Sequence, residues 1–130
     1  MAHYLDTSAL VKLAVAQPET PALRVWLEAQ PQPLVTCDLT RTEMLRAVRV
    51  VAPDRVVMAR LVLDSLVLTE VTSAVFEAAG RLEAEGLRSL DAVHLAAALD
   101  LGDDLDYMVT YDARLAGAAE TYGIAVIAPS

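Results

Sequence analysis

Short apolar runs alternate with stretches of helical periodicity along this whole chain, and that alternation constrains the fold more than any other feature. "HYLD" reads as a strand and "SALVKLAV" as a helix, broken at "QPETP". Residues 21–30 form an amphipathic helix, with Pro21 suited to its first turn and "QPQP" ending it. "PLVTC" is a second strand; helical pattern resumes at "TRTEMLRAVRVV", stops near Pro53 and continues as "DRVVMARLVLDSL". "LVLTEV" predicts a third strand, "SAVFEAAGRLEAEG" a helix closed at Gly86, and "SLDAVHLAAALDLG" a helix closed at Gly102. "DYMVTY" is a fourth strand, "DARLAGAAETYG" a helix closed at Gly123, and "IAVIAP" a fifth strand. Strands that alternate with helices imply crossover connections and a mostly parallel sheet. The expected architecture is a three-layer α/β/α sandwich around a five-stranded sheet.

Length and composition agree with that architecture. At 130 residues, with no internal repeat, low-complexity segment or long linker, residues 1–130 read as one domain. A 55% hydrophobic content and a mean hydropathy of +0.42 suit a sheet covered on both faces, with some surface left for a partner. No apolar run approaches the roughly 18 residues of a membrane span. Asp6 and Lys12 interrupt the only apolar segment near the start, so no signal peptide is expected. The single cysteine, Cys37, lies in the apolar run "LVTC" and reads as a buried, reduced thiol of a cytoplasmic protein, with nothing nearby in sequence to activate it. The net charge of -8 argues against a chain that grips nucleic acid by bulk electrostatics, though it leaves room for a nuclease whose cations neutralise the local field. Arg41, Arg46, Arg49, Arg55 and Arg60 gather in one stretch, which reads as solvated helix faces ahead of a phosphate-binding patch.

Parallel strands have a geometric consequence: their carboxyl ends, and the starts of the helices that follow, share one edge of the sheet, where open α/β proteins bind ligands. Four acids fall near such positions. Asp6 ends the first strand, Glu43 lies in the first turn after the second, Asp91 in the first turn of "SLDAVHLAAAL", and Asp112 just after the fourth strand. Taken singly, each reads as a helix-start residue. Asp6 and Asp112 suit N-caps, Thr40 and Glu43 have capping-box spacing, and Asp91 favours the positive end of its helix. Taken together, Asp6, Glu43 and Asp112 share an edge, and Asp91 joins them if its helix starts there. Converging carboxylates repel, and a divalent cation removes that repulsion. A carboxylate-rich, all-oxygen set suits Mg²⁺ or Mn²⁺, and such a site supports phosphodiester hydrolysis.

The segments "YLDTSALVKL", "TRTEMLRA", "LRSLDAVHLAAAL" and "VTYDARLAGAAETYGIAVIAP", in that order, resemble the PIN-domain ribonucleases, and specifically the VapC-like toxins of toxin–antitoxin pairs. The resemblance covers nearly the whole chain and no acid of the family's quartet is missing. It implies a metal-dependent endoribonuclease, with Asp6, Asp91 and Asp112 as ligands of Mg²⁺ or Mn²⁺. Glu43 either joins them as a ligand or positions the attacking water as a base. Ser8 and Thr110 would orient carboxylates from behind. The resemblance also implies a homodimer and a cognate antitoxin that plugs the site. Arg41, Arg88 and Arg114, each within three residues of a quartet acid, are candidates for RNA phosphate contacts.

Other features are set aside. "DLGDDLD" lacks the Gly and terminal Glu of a calcium loop and belongs at the opposite edge, as a solvated loop. His94, one turn beyond Asp91, reads as a structural histidine, with catalysis the lesser reading. Trp26 and the alanines around Ala96 read as core or dimer surface. A haloacid-dehalogenase-like phosphatase would need Asp two positions after Asp6, where Ser8 stands. A catalytically silent PIN-like scaffold that binds RNA or protein is the alternative to the enzyme.

Overall fold

The computed structural model describes residues 1–130. Strands β1 (Ala2–Leu5), β2 (Leu34–Cys37), β3 (Val67–Thr69), β4 (Leu105–Val109) and β5 (Ala125–Ile127) form one sheet in the order β3-β2-β1-β4-β5. Every pairing is parallel. The helices are α1 (Thr7–Ala14), α2 (Thr20–Glu28), α3 (Leu39–Val51), α4 (Val56–Asp64), α5 (Ser73–Arg81), α6 (Ser89–Leu99) and α7 (Ala113–Thr121). The three-layer sandwich expected from the alternation is therefore present. No helix is long and apolar enough to cross a membrane.

The period-two alternation of strand side chains divides the interior into two cores. Tyr4, Val35, Cys37 and Met108 face α5, α6 and α7, together with Leu95 and Leu115. Leu5 and Val109 face the other way, toward Leu10, Leu23, Met44, Val48 and Leu63 of α1–α4. β1, the central strand, is buried along its full length. Helix α6 is buried at every position from Ala92 to Ala98, which explains its composition: small side chains let it lie close to the sheet between α5 and α7. Trp26 packs against His3 and Tyr107, and Ala96 is core.

Two local expectations differ. Helix α5 ends at Arg81, five residues before Gly86, because Leu82, Ala84 and Leu87 turn inward onto the core and the Tyr122 hydroxyl accepts the Glu83 N–H at 2.7 Å. Tertiary contacts override a stretch of good helix formers, and Gly86, with φ of 76°, makes the turn into α6. Thr40 and Glu43 form no capping box. The Thr40 hydroxyl bonds Thr36 at 2.7 Å inside the core, and Glu43 turns to other partners. Gly102 and Gly123 both have positive φ after their helices, at 58° and 82°. The "DLGDDLD" segment makes a short 3-10 turn at the amino end of β4, with Asp103 and Asp104 exposed, as expected of a solvated loop.

Candidate active site

From β1 the chain builds outward to β2 and β3 on one side and to β4 and β5 on the other, so the order reverses at β1 and β4. The crevice beyond the carboxyl ends of those two strands is where an open parallel sheet binds ligands. Asp6 stands there as the N-cap of α1. Its Oδ1 accepts from the Ser8 hydroxyl at 2.7 Å and the Ala9 N–H at 3.2 Å, and its Oδ2 accepts from the Thr110 hydroxyl at 2.8 Å. Only 4% of the residue is exposed, and that burial raises its pKa above the usual aspartate value against the hydroxyl bonds that oppose the rise.

Thr110 connects this carboxylate to the next. Its oxygen accepts the Asp112 N–H at 3.1 Å, while Asp112 Oδ1 caps α7 by accepting from the N–H groups of Arg114 and Leu115. Ser8 braces the same turn by accepting the Tyr111 N–H at 2.9 Å. Asp91 enters from the first turn of α6, which starts at this edge. The Arg88 guanidinium lies between Asp91 and Asp112, with Nε 3.3 Å from one and Nη2 3.5 Å from the other.

Glu43, in α3, takes the fourth place. Its Oε1 accepts from the Thr7 hydroxyl at 2.7 Å and pairs with His94 Nε2 at 2.5 Å. Burial opposes ionisation of Glu43, yet the His94 bond and charge, with Thr7, hold its pKa below the usual glutamate value. Burial likewise disfavours the imidazolium of His94. Its contacts with Cys37 and Glu43, and their charges, outweigh burial and hold its pKa at about 10. Behind it, His94 Nδ1 lies 2.8 Å from the Tyr4 hydroxyl and 3.9 Å from Cys37 Sγ. Cys37 is thus buried as expected but does have a neighbour that favours its thiolate: burial works against ionisation, and the His94 and Tyr4 contacts draw its pKa down.

All four acids reach one edge from four separate elements, which meets the condition set on Asp91. No three of them, with the histidines and cysteine counted, stand close enough in this geometry to make a metal cage. Arg88 supplies positive charge between Asp91 and Asp112 instead. The donor set is all oxygen, and a cationic group already bridges two of its carboxylates, so the residues fit a hard divalent ion. Arg88 is thus exposed but leans onto two of the acids, and Arg41 is paired with Asp38 at 2.9 Å. Arg114 contributes its backbone N–H to Asp112, and its side chain forms no ion pair.

The PIN-domain family model matches residues 3–127. The chain belongs to the PIN-domain family. Ribonuclease VapC46 of Mycobacterium tuberculosis is 46% identical over 129 residues, covering 99% of this chain and 98% of that protein. Among solved structures, the fold is similar to Mycobacterium tuberculosis VapC20, a sarcin–ricin-loop-cleaving toxin, at a TM-score of 0.79 and 16% identity, covering 98% of this chain and 99% of that one. It is also similar to a chain of a toxin–antitoxin complex from Klebsiella pneumoniae, at a TM-score of 0.73 and 22% identity, covering 98% of each chain. This PIN domain therefore places its acids on a fold shared with toxins whose sequences have diverged widely. Sequence reasoning missed the Tyr4–His94–Glu43 contact, because its members lie 51 and 90 residues apart in the chain.

Proposed function

We propose that residues 1–130 act as one VapC-type PIN domain, an Mg²⁺- or Mn²⁺-dependent endoribonuclease toxin restrained by a cognate antitoxin. The observation that carries the reading is the arrival of Asp6, Glu43, Asp91 and Asp112, from four elements, at the switch point of a fully parallel sheet. The 46% identity to a ribonuclease over nearly the whole chain supports it. Asp6, Asp91 and Asp112 would hold the ion, with Glu43 a fourth ligand or the base that orients the attacking water. The bound ion would supply the positive charge that activates water and stabilises the leaving oxygen in phosphodiester hydrolysis.

This chain's own residues do the rest. Ser8 and Thr110 fix both oxygens of Asp6, which keeps a buried carboxylate in one orientation. Thr7 and His94 do the same for one oxygen of Glu43. Arg114, whose side chain forms no ion pair, would meet RNA phosphate at the rim, and Arg88 would be freed for the same task if a divalent ion neutralised Asp91 and Asp112. Arg41, at the start of α3 and paired with Asp38, would be a third such contact. On α3 and α4, the exposed Val50, Val51, Val57 and Leu61 offer apolar surface for the antitoxin or for a second copy of the chain.

Cleavage of total cellular RNA by the purified chain, compared in Mg²⁺, Mn²⁺ and excess EDTA, tests the reading. Discrete fragments that require metal and disappear in Asp6→Asn are expected. Equal cutting by the parent and Asp6→Asn would reject it, and metal-independent RNA binding without product would favour a silent scaffold.

A further inference from the structure

We infer that His94, anchored by Tyr4, is a positioning residue that fixes the carboxylate of Glu43. The inference rests on the proposed ribonuclease reading and extends it to a side chain outside the acidic quartet. His94 is 3% exposed and sits one helical turn beyond Asp91 on the buried helix α6. A carboxylate only accepts hydrogen bonds, so the short contact to Glu43 Oε1 requires the proton on Nε2. The other ring nitrogen, Nδ1, meets the Tyr4 hydroxyl, and Tyr4 is fully buried on the central strand. The imidazole is therefore held from behind by the most enclosed element of the fold.

What this does to Glu43 follows from which oxygen is used. Both the Thr7 hydroxyl and His94 Nε2 converge on Oε1, and the two donors lie 3.4 Å from each other. Oε2 receives no hydrogen bond from the protein. Two donors on one oxygen fix the plane of the carboxylate and leave the other oxygen available to a cation or a water. Filling the space does not require a histidine, since an apolar residue of similar volume would occupy it, though it would leave the buried Tyr4 hydroxyl without this partner. Direction is what the imidazole adds.

The experiment compares the parent chain with His94→Leu and His94→Gln, the second of which restores a neutral N–H donor near the position of Nε2. Mn²⁺ affinity by calorimetry, kcat and KM on an RNA oligonucleotide, and thermal unfolding are measured for each. His94→Leu should lose kcat by roughly 10- to 100-fold, with KM changed by less than about threefold and Mn²⁺ bound about tenfold more weakly, the scale of a lost outer partner of a ligand. His94→Gln should recover most of both. Parent-like kcat and Mn²⁺ affinity in His94→Leu overturn the inference, and so does an equal loss in both variants, which marks a merely structural role. If His94→Leu does not fold, Tyr4→Phe replaces it: the same direction of loss supports the inference and unchanged values overturn it. A parent that cuts RNA while His94→Leu cuts equally well sinks only the positioning role. A parent that binds Mn²⁺ in a His94-dependent way yet never cuts sinks only the ribonuclease reading.

Discussion

Asp6 takes three hydrogen bonds on one buried carboxylate, from Ser8, Ala9 and Thr110, and each of those donors comes from a different structural need. The Ala9 bond starts α1, the Ser8 bond closes a turn, and the Thr110 bond ties β1 to the segment after β4. Replacement by Asn keeps an acceptor for the cap, since Asn and Asp cap helices about equally. Asp6→Asn should therefore melt within a few degrees of the parent, while metal-dependent cleavage falls by about 100-fold or more, the scale of a lost electrostatic stabiliser. Calorimetry and a fluorogenic RNA substrate separate the two. Thr110→Val should behave differently, because Thr110 is 1% exposed and serves both Asp6 Oδ2 and the Asp112 N–H. It strips partners from buried polar groups, so about 1–3 kcal/mol of unfolding free energy should be lost in urea titrations. An Asp6→Asn chain that unfolds like Thr110→Val would contradict this division between chemistry and scaffolding.

Among the elements, the ends matter more than the middles. Helix α5 starts at the Thr72 cap, whose hydroxyl oxygen accepts the Val75 N–H at 3.2 Å; Thr72→Ala should cost about 1 kcal/mol in chemical denaturation. Helices α1 and α2 are tied by Lys12 and Glu19 at 3.0 Å. That bond with Lys12 lowers the Glu19 pKa below its usual value. A carboxyl depressed on folding stabilises the protein above its unfolded pKa and loses that contribution as pH falls toward the folded value. The parent should therefore outlast Glu19→Gln in melting temperature at neutral pH, and the gap should close below about pH 4, near the reference glutamate value. A gap that persists at low pH would assign the difference to something other than charge. Element starts were legible from local chemistry: Asp6 and Asp112 are helix caps and stand at the candidate site as well. The end of α5 was not legible. "GRLEAEG" has helical composition, and what stops it is Tyr122, 39 residues away, holding Glu83. The Tyr4–His94–Glu43 chain escaped for the same reason, since a histidine's partners across a sheet leave no mark beside it in sequence.

Taken as a whole molecule, the chain carries a net charge of -8, and most of its basic side chains lie away from the acids. Arg46, Arg49 and Arg60 are exposed on α3 and α4, and Arg55 is spent on the Ala14 carbonyl at 2.8 Å. RNA association should then depend weakly on salt. The slope of log KM against log salt, at fixed Mg²⁺, should be about 1–2, as for two or three phosphate contacts, and Arg114→Ala should lower it by about 0.7. A slope near that of a strongly basic RNA binder would point to a contact surface other than this edge.

The sheet order has a further consequence for how the protein comes into being. β1 precedes β2 and β3 in the chain, yet it also pairs with β4, and the carboxylate at its end waits for a hydroxyl 104 residues downstream. Tyr111 in turn donates to the carbonyl of Pro129, beyond β5. Until residues 105–112 have been made, Asp6 has neither Thr110 nor Asp112 beside it, and the acids are scattered along an unfinished polymer. The acids thus gather only once β4 and the residues after it have been made and have folded against β1, so a harmful activity that needs all of them would be withheld from a partly made chain.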